Sequence, residues 1–324
     1  MRAVEIQRAG ELPVVVHRES PLPGEGEVLV ELAAAPLTPL DVLCAGGRSY
    51  FGSPQVPYVP GVQGVGRVGG KPYWFPTSAG MRPGDGSMAG IVAVPDQDLV
   101  SLPDDVDLTL MAALGLSAVA AHLALSWRGG LVAGEQVIVL GAGGVVGQAA
   151  VQLARLGGAR RVVGAARSEA AQARARAAGA HDVVVLDTDD VSDLARRFEA
   201  ALDGAADLVL DPLWGAPAAA AAAVLATGGR LVNLGSSAGE TSPLTSSVLR
   251  SRSLRVLGYT NNELSTRQRA EAVRHIADLA AQGRLAVAHE ALDFDTLARG
   301  WERQTSGAVD GRLVLVPGPH PSAA

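Results

Sequence analysis

Cysteine is almost missing: Cys44 is the single one in 324 residues. One thiol excludes an intrachain disulfide and any cysteine-cluster zinc site, and it is compatible with reducing surroundings. With no partner visible in sequence, Cys44 reads as a small buried residue rather than a nucleophile. Aromatics are scarce, at 4%, although hydrophobic residues reach 48%. The apolar mass is therefore Ala, Val and Leu, as in buried parallel strands and closely packed helices. Blocks of one charge are also lacking, since the formal net charge of -6 is dispersed. That argues against nucleic acid or an anionic membrane as partner and leaves a small molecule as the expected one. No window of transmembrane length is free of charge or turn residues. The start, Met1-Arg2-Ala3-Val4-Glu5-Ile6, has no basic segment followed by an apolar stretch, so the expected location is the cytoplasm.

What is present suits two domains. The first third carries short β-like runs such as Glu27-Val28-Leu29-Val30-Glu31-Leu32, separated by Pro and Gly, and predicts a mostly antiparallel domain ending near Leu110. From Glu135 the rhythm becomes short apolar strands alternating with helical stretches, the pattern of βαβ units. Strands are predicted at 136–140, 161–165, 182–186, 207–210, 230–234 and 254–257, enough for one doubly wound parallel sheet. Helices are predicted at 145–156, 169–178 and 217–225. A polar helix over 266–282 then leads to a last run at 311–316 that returns to the first domain.

The strongest motif is the strand Val137-Ile138-Val139-Leu140 running into Gly141, Ala142, Gly143, Gly144, Val145, Val146 and Gly147, followed by an apolar helix. Glycines there let the backbone turn off the strand and let a pyrophosphate reach the helix N-terminus, where free amides and the helix dipole favour negative charge. Strict Gly-x-Gly-x-x-Gly spacing fails because Val146 stands at its third glycine; Gly141, Gly144 and Gly147 satisfy the requirement instead. Cofactor choice falls at the end of the second strand, where an acid would bind the ribose hydroxyls of NAD. The sequence there is Gly164-Ala165-Ala166-Arg167-Ser168. Arg167 and the Ser168 hydroxyl can hold a 2'-phosphate by charge-assisted hydrogen bonds, so NADP(H) is the expected cofactor. Ser168 can equally cap the next helix.

These residues resemble the quinone oxidoreductase (zeta-crystallin-like) branch of the medium-chain dehydrogenase/reductase superfamily. The likeness runs through Leu37-Thr38-Pro39-Leu40-Asp41-Val42, Val59-Pro60-Gly61-Val62-Gln63-Gly64, Ala112-Ala113-Leu114-Gly115-Leu116-Ser117-Ala118, Asp211, Gly228-Gly229-Arg230-Leu231-Val232 and Gly311-Arg312-Leu313-Val314-Leu315. It implies an α/β protein: a Rossmann domain with a doubly wound parallel six-stranded sheet at 113–261, plus a GroES-like, mostly β catalytic domain at 1–112 completed by 262–324. The resemblance places the active site between the domains. It further places Thr38 and Ser117 near the nicotinamide ribose, and Asn233, Leu234, Gly235, Ser236, Gly258, Tyr259 and Asn261 along the cofactor.

Zinc-dependent relatives polarise an oxygen with a metal held by Cys, His and Glu or Cys. Here Thr38 stands near the position of the first cysteine and Gly61-Val62-Gln63 replaces Gly-His-Glu. His17, His122, His181, His275, His289 and His320 are scattered. The implied chemistry is zinc-free reduction of a quinone or an α,β-unsaturated carbonyl (enone) by NADPH, whose substrate oxygen gathers charge that donors stabilise. Tyr50, in Gly46-Gly47-Arg48-Ser49-Tyr50-Phe51, lies where the family often has a tyrosine facing the nicotinamide, and it can donate the proton or pack over the cleft. Departures from the pattern are Leu43 for a tyrosine, Thr38 for an asparagine and Ala171 for a lysine. They leave open an NADPH-binding protein with little catalysis, and a zinc-free alcohol dehydrogenase is a third reading. A homodimer paired through the sixth strand is expected, because that apolar edge would otherwise be exposed.

Overall fold

The computed structural model describes residues 1–49 and 51–318. The chain divides into two compact units. The first is Met1–Gly115 with Val273–Gly283 and the chain from Ala288 on; the second is Leu116–Ala272 with Arg284–Val287.

In the first unit the long strand Glu27–Leu37 organises a mostly antiparallel sheet, pairing with Gln63–Val68, with Ile91–Pro95 and with Arg312–Leu315. His289–Leu292 adds to Arg312–Leu315 in parallel. The core gathers Ile6, Val30, Leu37, Phe75, Met88, Trp301 and Leu313, all nearly solvent-free. Trp74 and Phe75 are both 0% exposed, so two of the three aromatics at 73–75 build the interior rather than line an open surface.

The second unit is a six-stranded, all-parallel sheet. Its spatial order is Asp182–Val185, Arg161–Ala166, Gln136–Leu140, Ala206–Asp211, Leu225–Asn233 and Arg255–Gly258. The chain order 3-2-1-4-5-6 reverses between the first and fourth strands, the switch point at which such sheets open a crevice at their carboxyl ends. Val137, Ile138, Val139 and Leu140 are all 0% exposed, because helices cover both faces. The helices Val145–Leu156 and Glu169–Ala177 lie where the sequence predicted them, while Gly215–Ala223 starts and ends two residues earlier than 217–225.

Two features escaped the sequence reading. The strand Leu225–Asn233 begins at Leu225 rather than 230, because Gly228 (φ +77) and Gly229 form a bulge in the strand instead of a turn before it. The helix Val191–Ala201 is capped by Asp190, which accepts from the Ser192 and Asp193 amides at 2.8 and 3.1 Å. It buries Leu194, Phe198 and Ala201 at helical spacing.

Arg230, 6% exposed, ties the amino-terminal side of this sheet together. It donates to both Glu135 carboxylate oxygens at 2.7 and 2.6 Å and to the carbonyls of Gly129, Gly130 and Asp207. The helical run Leu108–Arg128 is long and apolar enough to cross a membrane by length and composition alone. It is broken at Gly115 (φ 32, ψ -135), and 61% of its most apolar window is buried in the protein.

Candidate functional site

The glycine loop leaves the carboxyl end of the strand Gln136–Leu140, and its glycines have separate tasks. Gly141 turns the chain at φ +61, a region side chains rarely adopt. A Cβ on Gly147 would come within 2.5 Å of the Ala142 Cα, so this glycine lets the helix press against the loop. A Cβ on Gly143 would come within 2.5 Å of the Ala171 Cα, which seats the loop on the next helix. Gly144 differs: it is the N-cap of Val145–Leu156, no side chain caps it, and a Cβ there would meet only the Gly141 carbonyl oxygen, at 3.4 Å. The first-turn amides of that helix have no intrahelical acceptor and Gly144 before them is exposed, so the loop fits a pyrophosphate.

The second strand runs beside the first and ends next to the loop; the Ala142 amide donates to the Ala165 carbonyl at 2.9 Å. Arg167 and Ser168 follow, both exposed. The Ser168 hydroxyl accepts from the Ala171 amide at 3.2 Å and caps Glu169–Ala177. The Arg167 guanidinium has no hydrogen bond or ion pair among the described residues. From the same helix Arg174 reaches back to the loop, its Nε donating to the Gly143 carbonyl at 3.0 Å. Gln148 donates to that carbonyl from the other helix at 2.9 Å. The sequence reading missed both, since neither belongs to the glycine spacing.

At the switch point, Asp211 is 0% exposed and accepts from the Leu213 and Trp214 amides and from Asn233 Nδ2, at 2.9, 2.8 and 2.9 Å. Burial raises its carboxyl above the usual range despite these donors. The clamp holds Trp214 at φ +60, a strained value for an aromatic residue. Asn233 also donates to the Gly235 carbonyl at 2.8 Å, so its side chain fixes the segment Asn233, Leu234, Gly235 and Ser236. Tyr259 donates its hydroxyl to Asn261 Oδ1 at 2.8 Å, and Asn261 donates to the Leu116 carbonyl at 3.1 Å, beside Ser117. The loop, Arg167, Ser168, the segment from Asn233 and the segment from Gly258 thus all leave carboxyl ends of one parallel sheet.

Thr38 belongs to the other unit. It caps Pro39–Ala45 in a capping box, its hydroxyl donating to Asp41 at 2.5 Å while its amide donates to the same carboxylate at 2.8 Å. The spacing Thr38-Pro39-Leu40-Asp41, with proline at the first helical position, carries that signal in sequence. Burial raises the Asp41 carboxyl, opposed by Thr38, by the Val62 amide and by the charge of Arg312. Gln63 is 1% exposed and accepts from Trp74 Nε1 at 2.9 Å. Cys44 is 1% exposed and its thiol is raised by burial, which disfavours the reactive thiolate. Tyr50 lies outside the described residues. No group of three or more His, Cys, Asp or Glu able to hold a metal occurs among the described residues.

A Cβ on Gly115 would come within 2.7 Å of the Gln63 Cδ, on a backbone already at φ +32. Gly115→Ala is therefore expected to lower unfolding free energy by about 2–3 kcal/mol. Urea denaturation checks this, and an unchanged midpoint would show that Gln63 can move aside.

The sequence family described as zinc-binding dehydrogenase matches residues 145–278. Human quinone oxidoreductase is 28% identical over 250 residues, 73% of each chain. Prostaglandin reductase-3 of Bos taurus is 30% identical over 232 residues, 69% of this chain and 59% of its own. The solved structure of the quinone oxidoreductase from Thermus thermophilus, described also in its complex with NADPH, matches with a TM-score of 0.77 at 30% identity, over 98% of this chain and 100% of that one. The chain belongs to the quinone oxidoreductase branch of the medium-chain dehydrogenase/reductase superfamily. It is an oxidoreductase of that type, with a Rossmann unit and a GroES-like, mostly β unit. The uncapped helix and the open face of Gly144 fit the nicotinamide cofactor of such enzymes.

Proposed function

We propose that the chain is a zinc-independent, NADPH-dependent reductase acting on small-molecule quinones or α,β-unsaturated carbonyl compounds. The observation that carries this reading is the end of the second strand. Ala166-Arg167-Ser168 offers a cation and a hydroxyl beside the glycine loop, and no carboxylate stands where NAD specificity requires one. When bound, NADPH supplies the hydride. Val145, Val146 and Gly147 would offer amides to its pyrophosphate, Arg167 and Ser168 would hold its 2'-phosphate, and the segments from Asn233 and Gly258 would line its path. Tyr50 is the proposed donor of the proton that completes reduction. Zinc independence is supported by the donor set: Thr38 and Gln63 are neutral, buried and already hydrogen bonded to Asp41 and Trp74.

The sixth strand supports the expected homodimer. Val256 is 40% exposed on a terminal strand of the sheet, an edge that a second copy can continue. A dimeric mass is expected in sedimentation, falling to the monomer in Val256→Lys; a monomeric parent protein would overturn it.

The activity is tested by following NADPH oxidation with a panel of 1,4-quinones and enones, with NADH in parallel and a chelator present. Chelator-insensitive turnover preferring NADPH is expected. NADPH binding without turnover would favour the second reading, a nucleotide-binding protein with little catalysis, which the commitment of the Thr38 hydroxyl to Asp41 supports.

A further inference from the structure

We propose that Arg174 is a specificity-determining residue for the cofactor, the cation that completes the adenosine 2'-phosphate subsite with Arg167 and Ser168. The inference rests on the NADPH reading above and goes beyond it in assigning a residue that no motif contains.

Three observations converge. First, Arg174 Nε donates to the Gly143 carbonyl at 3.0 Å, which places a half-buried guanidinium against the loop that would cradle the pyrophosphate. Second, the helix that carries it begins at Ser168, directly after the second strand, so Arg167, Ser168 and Arg174 belong to one short segment. Helical side chains lean toward the N-terminus of their helix, and Arg174 therefore covers the turn that starts at Ala171, on the Ser168 side. Third, Ala171 contributes only a methyl group there, and its backbone is in contact range of Gly143, so the loop and the helix meet with no bulky residue between them. A long cation rising from one turn further along fills that junction. Its charge acts on a phosphate at the end of the second strand, and its bond to Gly143 fixes the carbonyl that Gln148 also holds at 2.9 Å. Arg176, two positions on, points from a different side of the helix and is exposed, which makes it an internal control.

The test measures binding of 2',5'-ADP and of 5'-AMP by calorimetry, probes that differ in the 2'-phosphate alone. The parent protein is expected to prefer 2',5'-ADP. Arg174→Met should weaken 2',5'-ADP roughly ten- to fiftyfold while changing 5'-AMP less than about threefold, since a charge-assisted contact to phosphate is lost. Arg174→Lys, which keeps the charge, should retain part of the preference, and Arg176→Met all of it. Thermal melts confirm that each variant is folded; should Arg174→Met unfold, the Lys variant carries the comparison, with a loss confined to 2',5'-ADP. Equal weakening of both probes would reduce Arg174 to a loop support and overturn the inference, as would an unchanged preference. A parent protein that does not prefer 2',5'-ADP would overturn the NADPH reading itself, and this inference with it.

Discussion

Gly147→Ala is expected to abolish nicotinamide nucleotide binding and to lower the unfolding free energy by about 3 kcal/mol. The methyl group would sit 2.5 Å from the Ala142 Cα, and the nearby Gly141 carbonyl is also backbone, so no side chain can swing away. Relief requires the helix Val145–Leu156 to lift off the loop, which withdraws its first-turn amides from the position where a pyrophosphate would lie. Gly144→Ala provides the contrast. Its φ of -77° suits any residue, and its Cβ would meet only the Gly141 oxygen at 3.4 Å. That variant should keep parental stability and still bind NADPH more weakly, because the methyl occupies the approach to the helix end. Urea denaturation and fluorescence titration on both variants separate the effects. Parental stability in Gly147→Ala would show that the helix can shift against the loop at little cost.

Arg230→Met is expected to cost about 3 kcal/mol, the lower end of the range for removing one member of a buried ion pair, because the Glu135 side chain is still 18% exposed. It would leave Glu135 with only the Val132 amide and the Arg255 charge, and the Gly129, Gly130 and Asp207 carbonyls without this donor. Removing both charges in Arg230→Met/Glu135→Leu should recover part of the loss, since desolvated charge is then absent. The pH dependence follows from Glu135. Burial raises its carboxyl, but hydrogen bonds from Arg230 and the Val132 amide, and the charges of Arg230 and Arg255, hold it below its ordinary value of 4.5. A depressed carboxyl contributes stability above the unfolded value and loses it as pH falls through the folded one. The parent protein should therefore lose stability below about pH 4.5 in a limb that Arg230→Met lacks. Denaturation midpoints at pH 7 and pH 4 would show it, and identical acid limbs would sink the idea.

The Rossmann half was readable because its signals are local. Each buried parallel strand is a short apolar run, and each helix starts at a small or capping residue such as Gly144 or Ser168. The parallel sheet follows from the βαβ rhythm. The start of the fifth strand was not legible, because its bulge at Gly228-Gly229 interrupts the apolar run that would mark it. The antiparallel unit gave less, since the partners of Glu27–Leu37 come from 63, 91 and 312 onward, distances that no periodicity encodes. At the site, the glycine loop was legible from spacing, whereas Arg174 in Ala173-Arg174-Ala175-Arg176 looks the same as its neighbour until the Gly143 carbonyl chooses between them. Thr38 shows the reverse: its capping signal was in the sequence, but the resemblance drew attention to the nicotinamide instead.

The pairing of Arg312–Leu315 with Glu27–Leu37 has a consequence for how the chain is made. On the ribosome, the second unit emerges whole apart from Arg284–Val287, and its sheet can close early. The first unit cannot, because its sheet lacks strands and its interior lacks Phe294, Leu297 and Trp301 until the segment that carries them leaves the exit tunnel. Glu27–Leu37 thus waits with an open strand edge while the whole second unit is made, the interval in which a holdase has most to protect.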